Sequence, residues 1–171
     1  PLNLLICFFL LNFNHDDYNK KILLFSFIVF TSGFFIELIG VSSGVIFGHY
    51  EYGKALGPKF LNVPVIIGIN WFILIYCSGN ITQRLKTTAF LKSIIGASLL
   101  VFFDCILEIV AVKFGLWHWS EVIPFRNYLS WFIFSFLMIL IYHSMSFNKS
   151  NKVAAPLLIV LIVFFSLLVV F

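Results

Sequence analysis

The sequence predicts an all-α, polytopic bundle of about six transmembrane helices, read as one integral-membrane domain over residues 1–171. Three observations predict it. Hydrophobic residues make up 61% of the chain and charged residues only 11%, with a mean hydropathy of +1.06, far more apolar than a soluble domain needs. The apolar residues gather in runs, most approaching the length of about twenty residues that crosses a bilayer. The charges lie mostly in the short segments between the runs.

Taken in order, the runs are Leu2–Phe13, Ile22–Gly40 (with a continuation to Phe47), Val63–Gly79, Ala89–Val112, Tyr128–Met145 and Val153–Phe171. The first lacks a basic start and a small-residue cleavage site, so it does not read as a signal peptide. The chain opens on Pro1 and its last run stops without a polar tail, so both termini are expected to be truncated. Asn14–Lys21 reads as a solvated turn, despite the ligand-like His15, Asp16 and Asp17. The polar stretch from His49 to Pro58 is expected either to cap a substrate entrance or to rest at the headgroups as an aromatic belt. The sixth run, with Ser166 its one polar residue, reads as lipid-facing scaffold.

The net charge of +4 is dispersed between runs, so it implies orientation in a membrane and no nucleic-acid partner. Connections on one side hold Lys20, Lys21, Arg84, Lys86, Lys92, Lys149 and Lys152, and those on the other hold Lys54, Lys59, Lys113 and Arg126. The first side is therefore expected to be cytoplasmic, and the protein a multi-pass protein of the cell membrane. Cys7, Cys77 and Cys105 are scattered through apolar runs without metal-ligand spacing and read as small packers. No metal site is expected.

A few polar residues break the apolar runs. Glu37 shares a helix face with Gly33, Gly40 and Gly44, and glycines let a neighbouring helix or a flat ligand approach the backbone. Asn70 and Trp71 lie early in the third run. Asp104 and Glu108 sit one turn apart in the fourth, on a stripe with Ala97, Ala111 and Gly115, while Leu99, Phe102, Phe103 and Ile106 are expected to face lipid. That stripe must face protein or a cavity, because a charge in lipid costs ~2.5–3.5 kcal/mol or more. Trp117 and Trp119 follow, then Arg126 and Asn127 at the start of the fifth run. With antiparallel connections, all of these fall in the same half of the bundle, opposite the cytoplasmic side. The sequence thus predicts one intramembrane polar site.

Two carboxyls one turn apart do not comfortably both carry charge in a low-dielectric setting. One that holds its proton there is a Brønsted acid in an apolar pocket, suited to protonating an electron-rich double bond. Aromatic faces can stabilise the resulting cation. A proton or ion path uses buried acids equally well, as does a non-enzymatic subunit in which Asp104 and Glu108 pair with Arg126. From the residues alone the three readings stand level.

Several ordered blocks carry a resemblance. They are Glu37-Leu-Ile-Gly40 with Gly44, Phe47-Gly-His-Tyr50-Glu-Tyr52, Leu56-Gly57, Val63-Pro64 leading to Trp71, Asp104 with Glu108, Trp117-His-Trp119, and Ile123-Pro124 followed by Asn127 and Trp131. Over most of Gly33–Trp131 the chain resembles the carotenoid biosynthesis membrane proteins, a family that includes carotenoid hydratases such as bisanhydrobacterioruberin hydratase. It departs at Ile109, where that family is expected to carry proline. The resemblance implies hydration of the terminal double bond of an acyclic carotenoid end group, with no cofactor. Asp104 would give the proton, Glu108 would tune it or position water, and Glu37 would be the second acid or the base. Asn70, Arg126 and Asn127 would orient water or hold the carboxylates. Trp71, Trp117, Trp119 and Tyr50 would line the polyene end, with Gly40 and Gly44 beside it. The partners implied are the lipophilic substrate, the bilayer, and a carotenoid glycosyltransferase or another pathway enzyme. A lycopene-cyclase-like ring closure shares the protonation step and stays open, as do a proton-coupled transporter and an accessory subunit.

Overall fold

The six apolar runs form six helices: α1 (Leu2–Phe13), α2 (Lys20–Ser43), α3 (Ile67–Gln83), α4 (Ala89–Lys113), α5 (Phe125–Ser144) and α6 (Ala154–Val170). They come from a computed structural model that describes the whole of residues 1–171. Local signals set their ends. The Asn19 side chain accepts hydrogen bonds from the Lys21 and Ile22 amides at the start of α2, and Thr88 does the same for Leu91 at the start of α4. At the end of α2, Gly44 takes a left-handed conformation (φ 64°) and its amide bonds the Gly40 carbonyl. At the end of α4, the Gly115 amide bonds Val112 O and the Leu116 amide bonds Ala111 O, with Gly115 at φ 64°. That paired pattern stops a helix and turns the chain sharply.

α3 is the central helix. It packs on α1, α2, α4, α5 and α6, and every residue from Trp71 to Asn80 is buried, as expected of a helix apolar all round. The outer helices turn Phe27, Phe35, Phe102, Ile109, Val163 and Phe164 outward. An apolar outer surface of this kind belongs in lipid. Three helices, α2, α4 and α5, are long and apolar enough to cross a membrane. The chain is an all-α membrane bundle.

Four short strands decorate one end. β1 (Tyr50–Tyr52) pairs antiparallel with β4 (Trp117–Trp119), in the register Tyr50 to Trp119, Glu51 to His118 and Tyr52 to Trp117. β2 (Lys59–Phe60) pairs with β3 (Val63–Pro64). The two residues joining them, Leu61 and Asn62, both have positive φ (47° and 68°), the backbone a tight two-residue hairpin demands. The opposite end is latched by side chains: His15 Nδ1 meets the Tyr76 hydroxyl at 2.6 Å, and Asn151 Nδ2 donates to Leu11 O at 2.8 Å.

Several expectations need correction. α2 does not continue to Phe47, because Gly44 ends it; Gly48 (φ 121°) lies in the following loop. α3 starts later than Val63, since Val63 and Pro64 are taken into the hairpin. Phe103 does not face lipid: it is buried beneath α6, its ring 5.7 Å from that of Phe165. α6 is therefore a packing partner of α4 as well as an outer wall. His15 is buried, with a tyrosine partner in place of water. Isoleucine at position 109 leaves α4 unbroken past Glu108.

Gly33 sets the distance between α2 and α3, because a Cβ there would lie 2.6 Å from Trp71 Cβ. Gly33→Ala is expected to lower stability by about 1–3 kcal/mol, the usual cost of overpacking, read from unfolding in detergent. Unchanged stability would contradict this packing.

Candidate active site

The β1–β4 ribbon obeys the two-residue alternation of a strand. Glu51 and His118 face outward, while Tyr50, Tyr52, Trp117 and Trp119 turn inward over the ends of α2 and α4. Their rings form a cross-strand aromatic layer, Tyr50 against Trp119 at 5.0 Å and Tyr52 against Trp117 at 6.0 Å. All four carry a polar hydrogen, and all four deliver it to a carboxyl group.

The two tyrosines serve Glu37. Tyr50 Oη donates to Glu37 Oε2 at 2.5 Å and Tyr52 Oη to the same oxygen at 2.7 Å, while Trp71 Nε1 donates to Oε1 at 3.0 Å. Burial, then the nearby Glu37 carboxylate, pushes both tyrosine hydroxyls well above their usual range, so they stay O–H donors. The two tryptophans serve Glu108. Trp117 Nε1 and Trp119 Nε1 donate to Oε2 at 2.9 and 2.7 Å, leaving Oε1 with no protein donor. Asp104 lies one turn deeper, fully buried, with Asn127 Nδ2 donating to its Oδ2 at 2.9 Å and its Oδ1 unpartnered.

Glu37 and Glu108 line one small cavity of about 20 Å³, together with Tyr50, Tyr52, Asn127 and Trp131 among others. That volume holds about one water molecule. Ile67, Asn70, Leu107 and Trp117 belong both to this chamber and to a neighbouring groove of about 340 Å³, eleven of whose fourteen lining residues are hydrophobic. The groove runs between α1 and α6, with Leu4, Cys7, Leu161 and Phe164 on its sides. The acid chamber therefore adjoins an apolar slot of ligand size, and Ile67, Asn70, Leu107 and Trp117 are their common wall.

The structure brings together Glu37, Glu108, Tyr50, Asn70, Trp71, Trp117, Trp119 and Asn127. It does not bring Asp104 to the chamber wall; Asp104 reaches it through Asn127. Arg126 is not with the carboxylates at all. It is exposed and lines a separate shallow cavity with His49 and Glu121, because the next residue, Asn127, takes the inward face of α5. Gly40 and Gly44 serve packing: a Cβ at Gly40 would meet the Phe47 ring at 2.5 Å, and one at Gly44 the His49 ring at 2.1 Å. Tyr52, Phe47, Ile67, Leu107 and Trp131 were not singled out for chemistry from the sequence. The Tyr-x-Tyr spacing that matches Trp-x-Trp was the available signal for Tyr52.

Tyr52→Phe removes one donor from Glu37 and keeps the ring. It is expected to cost about 1.5–3 kcal/mol, the range for a hydrogen bond to a charged group, and only about 1 kcal/mol in a Glu37→Gln background. Unfolding in detergent measures both, and equal losses in the two backgrounds would contradict a charged Glu37 as the partner.

The chain is 30% identical over 120 residues to the bisanhydrobacterioruberin hydratase of Haloarcula japonica, an alignment covering 63% of this chain and 40% of that relative. The chain thus spans well under two thirds of the relative's length. No solved structure matches. The family model described as carotenoid biosynthesis protein matches residues 3–171, and the chain belongs to that family.

Proposed function

We propose that the protein hydrates the terminal double bond of an acyclic carotenoid end group at the Glu37–Glu108 chamber. The observation that carries this reading is the shared wall: a polyene lying in the α1–α6 groove would put its end against a cavity that has two carboxyls and room for one water. Glu108 is the acid. Its Oε2 takes two indole N–H donors, which leaves Oε1 to carry a proton toward the alkene. Proton transfer to the CH carbon of that double bond forms a C–H bond and leaves its dimethyl-substituted carbon as a tertiary cation. The faces of Trp117, Trp119 and Tyr50 screen that cation.

The chamber water then attacks the cationic carbon, and its proton passes to Glu37, whose three donors fit it as the carboxylate in the pair. Alkene and water give a tertiary alcohol, a redox-neutral addition. A proton relayed from Glu37 to Glu108 through the next water resets the pair. Asp104 holds the Asn127 amide and so is a positioning residue. Asn70, on the wall common to groove and chamber, orients the water. The chamber lies at the end of the bundle away from Lys20, Lys21, Lys92 and Lys149, which supports an orientation toward the exoplasmic side of a multi-pass cell-membrane protein. A glycosyltransferase or other pathway enzyme would take up the alcohol.

Ring closure would need the cation kept from water. The water-sized cavity between the two carboxyls favours hydration over that outcome.

In cells that make lycopene, Glu108→Gln is expected to reduce alcohol formation by about 10²–10⁴-fold, the usual contribution of a general acid, with the protein still inserted. Asp104→Asn is expected to cost about tenfold or less through Asn127. Pigment extraction and mass analysis measure both. An active Glu108→Gln protein, or a larger loss in Asp104→Asn, would overturn the assignment.

A further inference from the structure

Hydration consumes one water per turnover, and the groove that would hold the polyene is apolar. The chamber therefore needs a second, polar side. A cavity of about 300 Å³ lies along β1, lined by His49, Glu51, Lys59, Asn62 and Ser120 along with Val41. Tyr50 and Tyr52 complete its lining, and the same two residues line the acid chamber. No other residue is common to both. The tyrosines that donate to Glu37 are thus the partition between the chamber and this polar vestibule.

Resting on the hydratase reading, we infer that the vestibule is the water door: substrate water passes from it between Tyr50 and Tyr52 and is bound against Glu37. The chemistry of the wall supports this. Each tyrosine presents a hydroxyl that can accept from a passing water while donating to the carboxylate. The strand that carries them is only three residues long and its middle residue, Glu51, faces solvent. The Lys59 ammonium donates to the Tyr52 carbonyl, which ties the hairpin to the vestibule rim. The His49 ring packs against Gly44, where a Cβ would clash with it, and lines the same cavity. Polyene and water would then reach the chamber from different walls, one through Ile67, Asn70, Leu107 and Trp117, the other through the two tyrosines. The vestibule is thereby the feature that makes the outcome an alcohol.

The test uses the chain with Ser120 replaced by cysteine, assayed in membranes with an acyclic carotenoid, and the unsubstituted chain, whose Cys7, Cys77 and Cys105 lie within α1, α3 and α4, is treated in parallel. Ser120 lines the vestibule and takes no part in the chamber. A membrane-impermeant cationic methanethiosulfonate is expected to label it and to slow alcohol formation by about tenfold or more, by withholding the second reactant from a positioned site. A thiol reductant is expected to restore the rate. His118→Cys is the control: it is on the outer face of the same ribbon, opposite Glu51, and lines neither cavity. Its labelling is expected to leave the rate unchanged. No labelling of Ser120→Cys, full labelling without inhibition, or equal inhibition at both positions would each overturn the water door. An unlabelled protein that makes no alcohol, while the unsubstituted chain makes none either, would instead sink the hydratase reading.

Discussion

The structure depends on satisfying the two carboxyl groups that line the chamber, inside a bundle whose outer surface belongs to lipid. A carboxylate in such surroundings is untenable without donors, since nothing in the hydrocarbon replaces its lost water. Here the donors come from five aromatic side chains: Tyr50, Tyr52 and Trp71 for Glu37, Trp117 and Trp119 for Glu108. Aromatic rings suit the task because each pairs one polar hydrogen with a large apolar body. All of these side chains but Trp71 also wall the chamber, and their donation leaves Glu108 Oε1 free. The local folding follows from this need. Gly44 ends α2 just beyond Glu37, and the paired turn at Gly115 ends α4 just beyond Glu108, so each acid is followed closely by the segment that leads to its own tyrosine or tryptophan strand.

This arrangement also separates two solvents. On one flank, Ile67, Asn70, Leu107 and Trp117 connect the acids with an apolar groove; on the other, Tyr50 and Tyr52 connect them with a polar cavity. Under the proposed hydration, a fat-soluble alkene and a water molecule meet at a point neither could reach through the other's route. Cyclisation and hydration share a cation, so the distinction between them rests on the supply of water. Under the proposed reading that distinction lies with the vestibule and the two tyrosines that part it from the chamber, with the acids common to both reactions.

Much of this was legible in the sequence. Long apolar runs announce spanning helices because the bilayer imposes their length, and Glu37, Asp104 and Glu108 stand out because each is costly where it sits. Antiparallel connections were enough to place them in one half of the bundle. The ribbon was not legible. Tyr50–Tyr52 and Trp117–Trp119 are each three residues long and lie far apart in the chain, so their pairing is a tertiary fact with only a faint local signal. For the same reason Asp104 and Glu108 could not be ranked: both lie on the inward stripe, and only tertiary packing puts Asp104 behind Asn127 and Glu108 on the wall beneath Trp117 and Trp119. Arg126 misled because its charge invites pairing with acids, whereas a single step along α5 separates it from the inward-facing Asn127.

The account is tested most directly by tracing the oxygen. Membranes containing the protein, supplied with lycopene in water enriched in oxygen-18, are expected to yield a tertiary alcohol whose hydroxyl carries the heavy isotope. A cyclised pigment, or a hydroxyl whose oxygen comes from dioxygen, would contradict an acid chamber that adds water.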